Sequence, residues 1–173
     1  MPFLIMNNVG YFNINNNSLI YYSRIGRLDV VSKLLSTSKI KIDSQNRDSN
    51  TALIYASRHG YFDVVKKLLE CKADCNIQGE EKTTALIWAS RNVRVEIVKL
   101  LIDYKSYYHL KDIQNRTALM CAYDIKCAKC SFKNKQIIKM LTDYETNQLR
   151  CSLIVACPSI YNDIIDIIIK FVV

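Results

Sequence analysis

Apolar and polar positions along this chain follow a pattern that returns at intervals of 33 or 34 residues. The clearest copy begins at Thr51, where Leu53 and Ala56 share one apolar stripe and a second stripe runs from Val64 to Leu69. Such spacing predicts two short amphipathic helices in each copy. One short helix pair cannot bury its apolar face alone, so the pattern predicts a stack of these units.

Five copies account for nearly all of the chain from Asn17 onward, and they begin near residues 17, 51, 84, 117 and 151. The fourth copy contains an insertion around residues 125–132, because its second apolar stripe appears only at Gln136. The fifth copy, from Cys151, follows a shortened loop and forms a truncated C-terminal cap. We expect an irregular N-terminal cap at 1–16 and a repeat domain at 17–173, with the last two copies the least regular.

Local signals mark the ends of the predicted helices. Thr51 and Thr84 precede the apolar runs, where a hydroxyl is a favoured N-cap. Gly26 and Gly60 fall between the two helices of a copy, where a residue with positive φ ends the first helix. The third copy has Val93 at this position, so its turn is less firmly predicted.

The repeated motif resembles that of the ankyrin-repeat family, Thr-Pro-Leu-His-x-Ala, and residues 72–76 resemble the family's Gly-Ala-Asp-x-Asn loop. The resemblance implies an all-α solenoid of stacked helix-turn-helix units. The Thr-Ala-Leu-Ile motif and the high content of Asn, Ile, Lys and Tyr make the sequence similar to ankyrin proteins of large DNA viruses of protists. The family's His is replaced by apolar residues, which we expect to be buried instead: Ile20, Ile54, Ile87, Met120 and Ile154.

What the resemblance implies for function is a non-catalytic module that binds a protein through its concave face and loop tips. Two columns of residues lie on the first helices. We expect the first, Tyr21, Tyr55 and Trp88 continued by Cys121 and Val155, to form core between repeats rather than a base-stacking platform. The second column is a row of arginines with His59 and Asn92 beside it, and we expect it to contact a partner: Arg24, Arg58 and Arg91.

Polar residues at the predicted loop tips extend this surface: Arg47, Asp48, Asn50, Glu80, Glu81, Thr83, Gln114 and Arg116. Their mixed signs favour a protein partner over a polyanion. The net charge of +8 leaves a nucleic-acid-binding basic surface as an alternative, although the positive charges are scattered along the chain.

Seven cysteines without an N-terminal secretory signal favour reduced thiols in an intracellular location, expected to be cytoplasmic, or the host cytoplasm if the protein is viral. Cys127 and Cys130 could supply half a zinc site, but a second pair at suitable spacing is missing. We therefore expect no metal and no other cofactor.

Known catalytic motifs are absent from the sequence, so we do not expect an enzyme. Cys157 and Pro158, followed by Ile164, Ile165 and Ile168, loosely resemble an F-box-like helix that recruits ubiquitin-ligase machinery. A capping repeat explains more residues of this segment, and its apolar run at 164–173 is too short to cross a membrane. Nothing in the sequence fixes the identity of the partner or the oligomeric state.

Overall fold

A computed structural model of the protein describes residues 4–7, 10–13, 16–37, 40–124 and 131–156. These ranges contain an antiparallel hairpin of strands β1 (Leu4–Asn7) and β2 (Gly10–Asn13), and a short 3-10 turn at Glu80–Lys82. They also contain the following α-helices: α1 (Asn16–Arg24), α2 (Leu28–Leu35), α3 (Ala52–His59), α4 (Phe62–Glu70), α5 (Ala85–Arg91), α6 (Val95–Asp103), α7 (Ala118–Tyr123) and α8 (Ser131–Ala156).

The helices stack in two layers, which confirms the predicted helix-turn-helix solenoid. The first helices of the copies pack in the order α1, α3, α5 and α7, while α2, α4, α6 and α8 form the second layer. Val31, Val65 and Val98 occupy one repeat position in the second layer, and each is 0% exposed. The apolar stripes therefore bury themselves between consecutive copies, as their spacing predicts.

Helix ends follow the local signals closely. The Thr51 and Thr84 hydroxyls accept hydrogen bonds from the Ile54 and Ile87 N–H groups, each at 3.2 Å, so both predicted N-caps are confirmed. Gly60 ends α3 with φ at 88°. Val93 takes the same left-handed conformation in the third copy, with φ at 55°, although this costs a non-glycine residue about 1–2 kcal/mol. The stack therefore imposes the turn even where glycine is missing.

Glutamine side chains join successive loops at the same repeat position. The Gln45 amide donates to the Gln78 carbonyl at 3.2 Å, and the Gln78 amide donates to the Lys111 carbonyl at 2.9 Å. These bonds tie each loop to the next and hold the loop tips in a fixed row.

The N-terminal segment differs from the irregular cap expected at 1–16. Residues 4–7 and 10–13 pair as strands, with Leu4 opposite Asn13 and Asn7 opposite Gly10. Apolar and aromatic residues favour strands, and the Asn-rich residues between the two runs favour a turn.

The C-terminal end requires a second correction, because no separate helix begins at Cys151. Helix α8 runs without a break from Ser131 to Ala156. Its first part supplies the expected second helix of the fourth copy, since Ile137 and Leu141 are each 0% exposed. No Gly or Pro occurs at 142–150 to stop the helix. The rest of the predicted fifth copy, 157–173, lies outside the described residues.

Met120 is exposed as a consequence of this long helix, contrary to the burial expected of it. Ile54 and Ile87, its equivalents, are 2% and 1% exposed, whereas Met120 is 49% exposed. The loop of the following copy covers Ile54, because a Cβ added at Gly79 would lie 2.8 Å from the Ile54 Cδ1 atom. No loop equivalent to that of Gly79 covers Met120 within the described residues, because the chain there continues as helix α8.

Replacing Thr84 with Ala should lower the free energy of unfolding by about 1 kcal/mol, because the Ile87 N–H would lose its acceptor at a buried helix start. Urea denaturation of Thr84→Ala and Thr84→Ser measures the effect. The Ser variant keeps the accepting oxygen and should retain most of the stability. Equal stability of the Ala variant and the wild type would contradict a capping role for Thr84.

Candidate functional site

The arginine column and the aromatic column form one surface on the first-helix layer. The Arg24 guanidinium lies 6.0 Å from the centre of the Tyr55 ring, and the Arg58 guanidinium lies 4.2 Å from the Trp88 ring. In both cases an arginine of one copy rests against an aromatic ring of the next copy. Such cation–π contacts hold the cation in place while its edge remains available for hydrogen bonds. We call these four residues the arginine–aromatic ladder.

The aromatic residues themselves are only partly core. Tyr55 and Cys121 are buried as expected, at 7% and 2% exposure, but Trp88 is half-buried. The expectation was wrong for Tyr21, which is 51% exposed. Helix α1 is the first helix of the stack in the described chain, so no preceding helix covers this ring. The side chain of Val155 lies outside the described residues.

Arg91, the third arginine of the column, is engaged within the chain. It donates to the Asp112 carboxylate at 2.9 Å, and its other terminal nitrogen lies 3.8 Å from the Glu81 carboxylate. Arg116 donates to the same Asp112 oxygen at 3.0 Å and lies 3.6 Å from the Asp124 carboxylate. Both arginines proposed from the sequence at this end are therefore neutralised by neighbouring acids.

Asp112 is the centre of this cluster and is only 3% exposed. Burial by itself raises the pKa of its carboxyl group, but hydrogen bonds from the Arg116 N–H, the Arg116 side chain and the Gln114 N–H outweigh burial and lower the pKa. Asp112 is therefore ionised near neutral pH. Its negative charge is shared between Arg91 and Arg116.

Asp112 lies at the third interface of the stack, which is formed by the third and fourth copies. The first interface (copies one and two) and the second interface (copies two and three) have no acid at the equivalent position. The equivalent residues, one and two repeats earlier, are Gly79 and Asn46. Asn46 makes the same turn as Asp112, because its Oδ1 atom accepts from the N–H groups two and four residues later, at 3.1 and 2.9 Å. The corresponding bonds at Asp112 measure 2.8 and 2.9 Å. At Gly79, a Cβ would collide with the Asn50 side-chain oxygen, so no side chain fits there.

Arg24 and Arg58 consequently have no acid from the equivalent loop position beside them. Among the described residues, no carboxylate oxygen lies within 4.0 Å of either guanidinium. Sequence reasoning missed Asn46 and Asp112, although a signal was present. The two residues are separated by two repeats, and the position changes from Asn to Gly to Asp along the stack.

A depression of about 410 Å³ lies between α1 and α3, beside the first loop tip. It brings together three residues proposed from the sequence, Arg24, Arg47 and Asp48, with Asn17, Ile20, Tyr21, Asn46 and Tyr55. The Tyr55 hydroxyl accepts from the Asn46 amide at 3.2 Å and lies within donating distance of the Asp48 carboxylate, at 3.4 Å. The polar wall of the depression is thus held in place before any partner arrives.

His59, proposed beside the arginine row, is exposed at the end of α3 and stacks on Tyr55 and Tyr61, with ring centres 6.5 and 6.0 Å away. Burial lowers the pKa of its imidazole, and the charges of Arg58, Arg24 and Arg94 lower it further. The neutral ring is therefore favoured at neutral pH. His59 contributes an aromatic surface and no positive charge.

Of the remaining residues proposed from the sequence, Asn92 and Glu80 have partners within the chain. The Asn92 amide donates to the Trp88 carbonyl at 3.0 Å and so caps α5. The Glu80 carboxylate accepts from the Asn50 amide at 3.5 Å. Arg47 is exposed at the loop tip.

Two alternatives from the sequence fall outside the described residues. Cys127 and Cys130 lie there, as does the F-box-like segment from Cys157 onward. The part of the chain that the structure describes holds no cluster of three or more His, Cys, Asp or Glu side chains arranged to bind a metal ion. None of its helices is both long and apolar enough to span a bilayer.

Asp112→Asn should lower the free energy of unfolding by about 1.5–3 kcal/mol at pH 7, because two arginines lose a charged acceptor. The folded pKa of Asp112 lies below its unfolded value of about 3.9, so this contribution is present above pH 4 and is lost as the pH falls below it. Urea denaturation of both proteins from pH 7 to pH 3 should show the gap narrowing. A gap that stays constant to pH 3 would contradict the ionic role of Asp112.

A family model for ankyrin repeats, which spans three copies of the repeat, matches residues 2–79 and 71–130. A comparison with curated proteins found no match, so the resemblance to viral proteins stays a prediction. Ankyrin repeats are generally protein–protein interaction modules. The matched residues contain the ladder and the helices α1 to α7, and on this evidence the chain belongs to the ankyrin-repeat family.

Proposed function

We propose that this chain is a non-catalytic module that binds a protein partner at the first two interfaces of its concave face. The proposal rests on the surroundings of the Arg24 and Arg58 guanidinium groups. Both are held against aromatic rings of the next copy, and no carboxylate of the described residues neutralises them. A partner is the natural source of the missing acids.

The residue types at these interfaces favour tight protein contacts. Arg, Tyr and Trp dominate the energetically important centres of protein interfaces, and here Arg24, Tyr21, Tyr55, Arg58 and Trp88 are neighbours. An arginine already resting on a ring loses less side-chain entropy when it binds. The depression beside Arg24 also gives the face a concave shape into which a partner side chain fits.

The charges at the edge of this face favour a protein over nucleic acid. Asp48 lies in the depression with Arg24, and Glu80 and Glu81 are exposed at the next loop tip. The arginine column itself changes sign in the fourth copy, where Asp124 takes its place. A continuous chain of phosphates would meet these carboxylates at each step, whereas a protein can place single acids against single arginines.

Peptides selected from a random displayed library on the folded protein should bind the concave face. Hydrogen–deuterium exchange with a selected peptide should protect α1, α3 and the loop at 46–50. The double variant Arg24→Ala/Arg58→Ala should weaken binding about 100-fold, since the loss of one interface arginine costs about tenfold or more. Fluorescence anisotropy of the labelled peptide measures the affinity.

The matched control is Lys66→Ala/Lys99→Ala, which removes two exposed cations at one repeat position of the second-helix layer. This variant should change the affinity by no more than about twofold, because exposed rim charges contribute little. Protection confined to α4 and α6, or equal losses in the two double variants, would refute binding at the concave face.

A further inference from the structure

We propose that the partner segment carries two carboxylates about one repeat apart, seated on Arg24 and Arg58 as Asp112 is seated on Arg91. This inference rests on the proposed function and adds the chemistry of the ligand to it. It follows from a comparison of three equivalent interfaces within one chain.

The third interface shows how a carboxylate binds this arginine column. One oxygen of Asp112 accepts from Arg91 at 2.9 Å and from Arg116 at 3.0 Å. Arg91 also lies 4.9 Å from the centre of the Trp88 ring, so it combines a ring contact with an acid. The geometry that an arginine of this column uses for an acid is thus present inside the molecule.

The first interface has the arginine and the turn of the third, but no acid at the position of Asp112. Arg24 is equivalent to Arg91, and Asn46 is equivalent to Asp112 with the same two backbone hydrogen bonds. The amide of Asn46 cannot neutralise a guanidinium, and it is instead a donor to Tyr55. Arg47 adds a second cation at the edge of the same depression. A carboxylate that enters this depression meets the Arg24 and Arg47 guanidinium groups, while the Asp48 carboxylate on its wall already accepts from the Asn46 amide and the Tyr55 hydroxyl.

At the second interface, the acid is excluded by packing. A side chain at Gly79 would collide with Asn50, which is 1% exposed and cannot move aside freely. Arg58 therefore lies on Trp88 without an acid from its own loop. The nearby loop acids have donors elsewhere, Glu80 on Asn50 and Glu81 beside Arg91.

The distance between Arg24 and Arg58 sets the separation of the two acids in the partner segment. Packed helices lie about 8–10 Å apart, so successive arginines of the column are separated by about that distance. A peptide in the polyproline II conformation advances about 3.1 Å per residue with three residues per turn, so side chains three residues apart lie on one face, about 9 Å from each other. The segment is therefore expected to read Glu-x-x-Glu or Asp-x-x-Asp in this conformation. Two acids that are adjacent in the sequence reach only one of the two arginines.

Synthetic twelve-residue peptides of Gly and Ser test the spacing, with blocked termini and one pair of Glu residues placed either three apart or side by side. Trp88 is the single tryptophan of the chain, and it lies against Arg58, so its fluorescence reports binding. At about 50 mM salt the spaced peptide should bind at least tenfold more tightly than the adjacent one. The matching Gln-x-x-Gln peptide should not bind.

Asn46→Asp provides the decisive variant, because it places an internal acid beside Arg24 in a turn that already accommodates Asp at residue 112. It should weaken the spaced peptide about tenfold. Asn115→Asp is the matched control. It makes the same chemical change at an exposed loop tip of the third interface, where a short polar side chain tolerates the left-handed φ of 60°. The affinity of the Asn115→Asp variant for the spaced peptide should stay within about twofold of that of the wild type. Urea denaturation checks that both variants are folded.

Several results would overturn the two-carboxylate seating. They are equal binding of spaced and adjacent acids, no binding of the spaced peptide at millimolar concentration, or full binding by the Asn46→Asp variant. If library-selected peptides still protect α1 and α3 in these cases, the concave face remains the binding site and only the ligand chemistry is wrong. Tighter binding of a single-stranded oligonucleotide than of the spaced peptide would replace the acidic segment with nucleic acid.

Discussion

The structure depends on one constraint, which is that no helix pair in this chain can bury its own apolar face. Each copy offers a stripe on both sides, and only a neighbouring copy of the same shape fills it. Val31, Val65 and Val98 reach complete burial at one repeat position for this reason. The same constraint holds Val93 in a left-handed turn that its side chain disfavours, since the second helix must return to the layer at the same place in every copy.

Stacking also creates the surface that we propose for binding. Because the copies are in register, an arginine near the end of one first helix meets the ring near the middle of the next. Whether such an arginine carries its charge to the surface then depends on a single loop residue, which is Asn46, Gly79 or Asp112. A small change at one repeat position thus divides a uniform row into two arginines with no carboxylate within 4.0 Å among the described residues and one arginine in an ion pair within the chain. Variation of this kind lets a repetitive scaffold carry a specific site.

At the C-terminal end of the described stack, the repeating unit gives way to the long helix α8. Its first part completes the fourth copy through Ile137 and Leu141. Its continuation takes the place of a further loop, and Met120 remains exposed where Ile54 and Ile87 are covered. The hydrogen bond from the Tyr144 hydroxyl to the Ser106 carbonyl, at 3.1 Å, fastens this helix to the preceding loop. Interruption of the repeat thus changes the burial of a residue whose local sequence still matches the motif.

The sequence by itself determined the period, because the motif is repeated at a constant spacing. It also determined the helix pairs, the N-caps at Thr51 and Thr84 and the turn at Gly60, because these depend on residues within a few positions of one another. Continuation of α8 was not foreseen, because the motif match from Cys151 onward indicated that a new helix begins there. Only the tertiary structure decided that Arg91 is neutralised by Asp112, 21 residues away, while Arg24 and Arg58 are not. Those pairings cross from one copy to the next. Their outcome depends on how copies meet in space, which a motif repeated along the chain does not encode.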